Sequence, residues 1–281
     1  MDKKQVWEQA RKRMNGACRV CPVCNGAACR GEIPGFGGLR TGATFRRNRE
    51  AIEEYRLLMR SMGGAVSPDT SVSLFGQTAA LPVFCAPIGA AAFNTWDTEN
   101  DPEKVEYEYV DAITAGAVQA GTIGMTGDGA QAFVLESGLA ASRRFPGRVI
   151  PTIKPREDDA IIERALRAKE AGAPAFAVDI DAATLINMRL LGQPVGPKSR
   201  ENIAAIAAAV DLPMIVKGIM TAEEAKACAE AGAAAVIVSN HGGRVMDGMA
   251  GTADMLPEIA SAVKGKVLSA STAVSEQGKT F

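Results

Sequence analysis

The chain has 281 residues, 47% of them hydrophobic, and a formal net charge of -1. That is length enough to bury one large core, and the charge balance, with no basic stripe carrying interleaved aromatics, excludes nucleic acid as the main partner. There is no long apolar span, and Met1-Asp2-Lys3-Lys4-Gln5 lacks an apolar signal core, so the expectation is a cytoplasmic protein, neither secreted nor membrane-inserted.

In chain order, residues 1–15 are helix-like and charged, residues 16–44 are rich in Cys and Gly, and Phe45–Met62 reads as a charged amphipathic helix. Residues 1–79 together are expected to form an amino-terminal extension packed across one end of the main domain, without a core of their own. Four of the six cysteines fall here, as Cys18, Cys21, Cys24 and Cys29 in a C-x2-C-x2-C-x4-C run. Thiolates two residues apart can turn toward one ion or cluster, so an iron–sulfur cluster or a structural zinc fits, with free or redox-exchanging thiols as the alternative. Cys85 and Cys228 lie in apolar patterns and read as ordinary buried residues.

From residue 80 to 281 short apolar runs alternate with amphipathic segments, the rhythm of βα units. Strands are expected near Val83–Ile88, Thr122–Thr126, Val149–Ile153, Ala175–Asp179, Met214–Lys217 and Ala234–Ser239. Helices are expected near Lys104–Ala117, Gln131–Ala141, Asp158–Ala171, Ser199–Ala209, Ala222–Ala231 and Ala253–Ala262. Ala171-Gly172 and Ala231-Gly232 suit helix ends that close through a left-handed glycine. Short right-handed connections favour an α/β fold of the TIM-barrel type over an open sheet.

In such a barrel the functional groups gather at the carboxyl ends of the strands. His241, the only histidine, follows the apolar run Ala233–Val238 within Ser239-Asn240-His241-Gly242-Gly243-Arg244. It is placed to move protons, or else to cap a helix or bond a backbone carbonyl. Lys217 closes the preceding strand and should stand beside His241, either stabilising an anion or snorkelling to solvent. Asp179 and Lys154 end two further strands, as site groups or rim contacts. Ala86-Pro87-Ile88-Gly89-Ala90 is a small-residue turn against which a flat ring could lie, and Gly124, Met125 and Thr126 could line the next strand end.

Pro213-Met214-Ile215-Val216-Lys217-Gly218-Ile219-Met220-Thr221, Ser239-Asn240-His241-Gly242-Gly243-Arg244, Asp247-Gly248 and Leu256-Pro257-Glu258 together resemble the FMN-dependent α-hydroxy acid oxidase and dehydrogenase family, which includes glycolate oxidase, lactate oxidase and flavocytochrome b2. The resemblance is dense over residues 199–265 and weaker from about residue 40. It implies a (β/α)8 barrel that holds FMN and oxidises an L-2-hydroxy acid, of lactate or glycolate type, to the 2-oxo acid. It makes His241 the base, Arg244 the two-donor clamp on the substrate carboxylate, and Lys217 the cation at the flavin N1–O2 edge. Ala86, Pro87 and Ile88 would give the flavin backbone contacts, with Gly124, Thr152 and Ser239 completing the cofactor set.

The sequence departs from the family in four places. The amino-terminal active-site tyrosine has no counterpart, Pro151-Thr152-Ile153-Lys154 replaces Gln-x-Tyr, and the cysteine cluster is extra. After Lys266-Val267-Leu268 the Asp-Gly-Gly-x-Arg and Gly-Arg segments that hold the FMN phosphate are missing. The expectation is an open six- or seven-stranded barrel short of its last one or two βα units, lacking a phosphate cradle and prone to pair as a homo-oligomer. The alternatives are another FMN barrel, such as a type 2 isopentenyl-diphosphate isomerase, or a non-catalytic metal-binding scaffold.

Overall fold

Sheet order follows chain order through six parallel strands: β3 (Gly124–Thr126), β4 (Val149–Ile153), β5 (Phe176–Asp179), β6 (Met214–Ile219), β7 (Ala235–Val238) and β8 (Leu268–Ser271). The computed structural model describes residues 2–14, 18–32, 37–59, 61–64, 67–91 and 100–272. Helices α3 (Pro102–Gln119), α4 (Ala132–Arg144), α5 (Asp158–Glu170), α7 (Arg200–Ala209), α8 (Ala222–Glu230) and α9 (Thr252–Val263) alternate with the strands, and the short α6 (Ile186–Leu190) precedes α7. Gly172 and Gly232 close α5 and α8 with φ of +86° and +97°, as the Ala-Gly pairs suggest. No helix among the described residues is long and apolar enough to cross a membrane.

Strands β3 to β7 are buried almost throughout because both faces are covered. Successive side chains take opposite faces of a strand, which divides the core in two. Ile123, Met125, Ile150, Ala175, Ala177, Ile215, Ala235 and Ile237 pack together inside the curl of the sheet. Ile153, Phe176, Val178, Val216, Val236 and Val238 face the helices and pack on Ile161, Ile206 and Ile259. This alternation fixes which polar residues at the strand ends look inward.

β8 and the short α6 are not among the expected elements, and three further stretches differ from the sequence expectation. Val83–Ile88 forms only a single parallel bridge, Cys85 to Gly124, since Pro82 and Pro87 remove two of the donors a ladder needs. Helix α2 (Ala43–Glu54) stops well short of Met62. Tyr55 turns extended and its Oη donates to the Ala253 carbonyl at 2.9 Å, drawing the chain off the helix axis. An antiparallel hairpin, β1 (Val72–Leu74) and β2 (Gln77–Ala79), escaped the sequence reading. Its tip, Phe75-Gly76, is left-handed at both residues (φ +49° and +75°), the geometry of the tightest hairpin turns. Leu74 and Phe75 plug the inner core, and Ala80 N–H donates to the Gly121 carbonyl, so the hairpin closes the end where the strands begin.

The opposite end is covered by α2, and helix α1 (Lys3–Arg13) carries an Asp2–Gln5 capping box. Asn48 of α2 and Asn240 exchange buried side-chain hydrogen bonds of 2.9 and 2.8 Å. Asp247 accepts from the Thr41 and Ala43 backbone N–H groups, each at 2.9 Å. Arg47 pairs with Asp254 at the start of α9.

Candidate functional site

Thr152 shares the inner face with Ile150, Asp179 with Ala177, Lys217 with Ile215, and Ser239 with Ile237. The strands thereby deliver all four, with Lys154, to the inside of the carboxyl end, where each is 9% exposed or less. Lys154 Nζ donates to Asp179 Oδ2 at 2.7 Å. Lys217 Nζ donates to Asp181 Oδ2 at 3.2 Å and lies 3.4 Å from its Oδ1, while Ser239 Oγ donates to Oδ2 at 3.0 Å. Two carboxylates and two ammonium groups thus compensate one another in a buried cluster, as buried charges must.

Asp181 can approach only because Gly218 follows Lys217. The backbone there has φ +112°, and a methyl group on Gly218 would fall 2.6 Å from the Asp181 amide nitrogen. The β6–β7 register shifts at the same point, between Lys217 and Ile219. Gly218→Ala is therefore expected to add an overpacking cost of about 1–3 kcal/mol to the cost of the left-handed backbone. Gly242→Ala, whose methyl meets open space, should add only the backbone cost, and equal unfolding free energies in urea would contradict this account.

His241 stands on the other side of Asp181, its Nδ1 2.9 Å from Asp181 Oδ1 and 3.9 Å from Asp179 Oδ2. An ionised carboxylate only accepts, so Nδ1 carries the hydrogen and Nε2 is left with a lone pair. Lys217 Nζ lies 3.5 Å from the same Nδ1. Burial, then the positive charge of Lys217, pull the imidazole below its ordinary 6.5, outweighing Asp181. The ring is thus neutral at neutral pH and ready to accept a proton at Nε2.

Such placement is costly for the backbone. His241, Gly242 and Gly243 are consecutively left-handed, with φ of +55°, +66° and +74°, and a non-glycine residue holds that conformation only where its surroundings enforce it. Asn240 supplies the constraint, its Oδ1 accepting from Gly243 N–H at 3.2 Å while its amide bonds Asn48 and the Ala250 carbonyl. Arg244 follows directly. Burial lowers its guanidinium from the ordinary value, and among the described residues it has no ion pair. A desolvated cation without a protein partner is suited to an anionic ligand.

Other sequence candidates lie elsewhere. Gly124 and Thr126 are out of phase with the inward-facing Met125: a methyl on Gly124 would meet Thr114 and Ala117 of α3, and the Thr126 hydroxyl faces Gly138 of α4. Gly124 can therefore offer the interior backbone only. Ala86, Pro87 and Ile88 lie at the rim, with Ile88 45% exposed. The turn after them is held from α3, where the buried Glu106 accepts from Ala90 N–H at 2.9 Å. Cys18, Cys21, Cys24 and Cys29 contribute no side chain to this cluster, and no three of their sulfurs form the compact shell expected around a single zinc. Among the described residues only Asp179, Asp181 and His241 bring three potential ligand atoms within 4.8 Å of one another, and there the two lysines already neutralise the carboxylates.

Asp181, central to the cluster, was missed in the sequence, as were Glu106 and the buried Asp128–Arg156 pair that ties the β3 and β4 ends together. Asp181 could have been suspected from Val178-Asp179-Ile180-Asp181, where a second carboxylate follows a strand end at inward spacing.

The family model of the FMN-dependent dehydrogenases matches residues 36–198 and 193–270. The chain is 28% identical over 273 residues to a 4-hydroxymandelate oxidase of Amycolatopsis orientalis, covering 84% of this chain and 72% of that protein. It is 26% identical over 277 residues to an L-lactate oxidase of Lysinibacillus sphaericus, covering 83% and 68%. Among solved structures, a mandelate oxidase variant with a C4a-OH-FMN adduct superposes with a TM-score of 0.69 at 25% identity, over 86% of this chain and 74% of that one. A second mandelate oxidase structure shares the fold with a TM-score of 0.71 at 24% identity, over 96% and 77%. A barrel sheet with its polar groups at the strand ends and a family match over most of the chain agree: the protein belongs to the FMN-dependent dehydrogenases and is an FMN-dependent α-hydroxy acid oxidoreductase.

Proposed function

We propose that the protein oxidises a small L-2-hydroxy acid, of lactate or glycolate type, to the 2-oxo acid. The observation that carries this reading is the desolvated Arg244 guanidinium, without an ion pair among the described residues, three residues after an imidazole whose Nε2 is left with its lone pair. Arg244 binds the substrate carboxylate through two parallel N–H donors. Nε2 of His241 takes the proton, and the imidazolium formed is stabilised by Asp181 through Nδ1–H.

The residues present fit FMN at the ring end. Thr152 Oγ1 and Asp179 Oδ1 are buried without hydrogen-bond partners, on the inner face beside Lys217, and a flavin edge carries both donors and acceptors to meet them. Lys217 and Ser239, with the backbone of Ala86–Ile88, are the further groups that would hold it. FMN, when bound, supplies the two-electron acceptor.

Among the relatives, an L-lactate oxidase supports an aliphatic substrate. Anaerobic bleaching of the flavin by L-lactate or glycolate, faster than by L-mandelate, is the expected result; bleaching by mandelate alone would replace the substrate class. Arg244→Lys should raise the substrate concentration for half-saturation by roughly 10- to 100-fold, because lysine keeps the charge and loses the fork. Unchanged saturation would remove Arg244 from the carboxylate.

A further inference from the structure

Cys18, Cys21, Cys24 and Cys29 take no part in the site above, and no disulfide occurs among the described cysteines. Their loop is tightly built. Gly26 and Gly31 are left-handed at φ +72°, and a methyl group on Gly37 would fall 2.5 Å from the Gly26 carbonyl oxygen and 3.0 Å from the Cys29 carbonyl carbon. Arg49 of α2 donates to the Cys24 carbonyl at 2.8 Å. Gly31 N–H donates to the Gly38 carbonyl at 3.0 Å, and Leu39 N–H to the Gly243 carbonyl at 2.9 Å. The cysteine loop is therefore fastened, through residues 37–39, to the turn that carries His241 and Arg244.

Within the loop Cys29 is buried, and Cys18, Cys21 and Cys24 are half-buried and free of disulfides. Val20 N–H donates to Cys18 Sγ at 3.4 Å from a left-handed φ of +46°, which a β-branched residue adopts only under constraint. Hydrogen bonds to sulfur and burial are the means by which proteins hold and tune iron–sulfur clusters. No three of the four sulfurs come within 4.8 Å of one another. Zn–S bonds of about 2.3 Å would need tetrahedral thiolates about 3.8 Å apart, closer than any three of these sulfurs stand, whereas the two-residue intervals Cys18-x2-Cys21-x2-Cys24 are those of ferredoxin-type clusters.

We propose that Cys18, Cys21, Cys24 and Cys29 ligate an iron–sulfur cluster of the four-iron type, mounted beside the hydroxy-acid site as an exit for electrons. Each hydroxy acid oxidised releases two electrons and two protons. The cluster takes the electrons singly and passes each to an external one-electron carrier, while the protons reach solvent. The role as exit rests on the hydroxy-acid reading; the cluster site does not.

The test is iron, sulfide and zinc analysis of the full chain purified without oxygen and reconstituted with ferrous iron and sulfide, with electron paramagnetic resonance after dithionite. About four iron and four sulfide per chain are expected, with a signal that Cys18→Ser and Cys24→Ser lose and Cys85→Ser keeps. Flavin content and thermal melting of the same variants separate cluster loss from unfolding. Zinc in place of iron, no uptake of iron and sulfide, or a cluster undiminished in folded Cys24→Ser would overturn the site. Anaerobic L-lactate should reduce the cluster as dithionite does. Flavin bleached by lactate beside a cluster left oxidised would overturn the exit. Flavin left unbleached would instead count against the hydroxy-acid reading, with the metal analysis still deciding the site.

Discussion

Replacing His241 with Gln is expected to slow anaerobic flavin reduction by a 2-hydroxy acid by about 100- to 10 000-fold, the usual share of a positioned general base, while FMN stays bound. The cofactor is spared because most of the groups proposed to hold it lie elsewhere in the chain, Thr152 on β4, Lys217 on β6 and the Ala86–Ile88 backbone, and because Ser239, two residues before His241, bonds the backbone N–H of residue 241, which the substitution keeps. Glutamine fills most of the imidazole volume but has no lone pair of comparable basicity, so binding and proton abstraction separate. The pH dependence gives a second readout. Burial and Lys217 hold the imidazole below 6.5, so the base is already neutral there, and the acid limb of the reduction rate should lie below 6.5. It should be absent from His241→Gln. A variant that reduced its flavin at the unmodified rate would remove His241 from the role of base.

Much of this was legible in the chain because parallel strands carry a strong signal. Runs such as Ala233–Val238, buried on both faces, read as strands without a partner in view, and Lys217 and His241, one βα unit apart, had to share an end. The inward set was harder. Gly124 and Thr126 sit on a strand whose neighbour Met125 faces the interior, and only the pairing of that strand shows which phase points inward. Asp181 lies beyond the end of β5, in a 3-10 turn over Ile180–Thr184. Its place beside Lys217 depends on the bulge at Gly218, a tertiary feature without a local signature. The hairpin β1–β2 was hidden for another reason: strands of three residues are too short for alternation to register.

Asp181→Asn is expected to reduce the folding free energy by about 3–5 kcal/mol, the cost of leaving a buried charge without its counterion. Among the described residues Asp181 is the one group that touches Lys217, His241 and Ser239 together, and its side chain is only 6% exposed. An amide can still accept from Nδ1–H, so the imidazole keeps its orientation, but Lys217 loses its counterion. The sign with pH follows from the carboxyl itself. Burial alone would raise it, but Lys217, His241 and Lys154 together hold it below 3.8. Its contribution is therefore present in full above the unfolded value of 3.8 and is lost as pH falls through the lower folded value. His241 acts in the same direction, since an imidazole held below 6.5 makes the fold less stable as pH drops under 6.5. Urea unfolding from pH 8 to pH 3 should show both losses in the unmodified protein, whereas Asp181→Asn should begin less stable and lack the carboxylate limb. The same variant removes the charge that opposes Lys217 at the imidazole, so the acid limb of flavin reduction should move to still lower pH. An acid limb that moved upward would mean that Asp181 does not act on His241 as its position indicates.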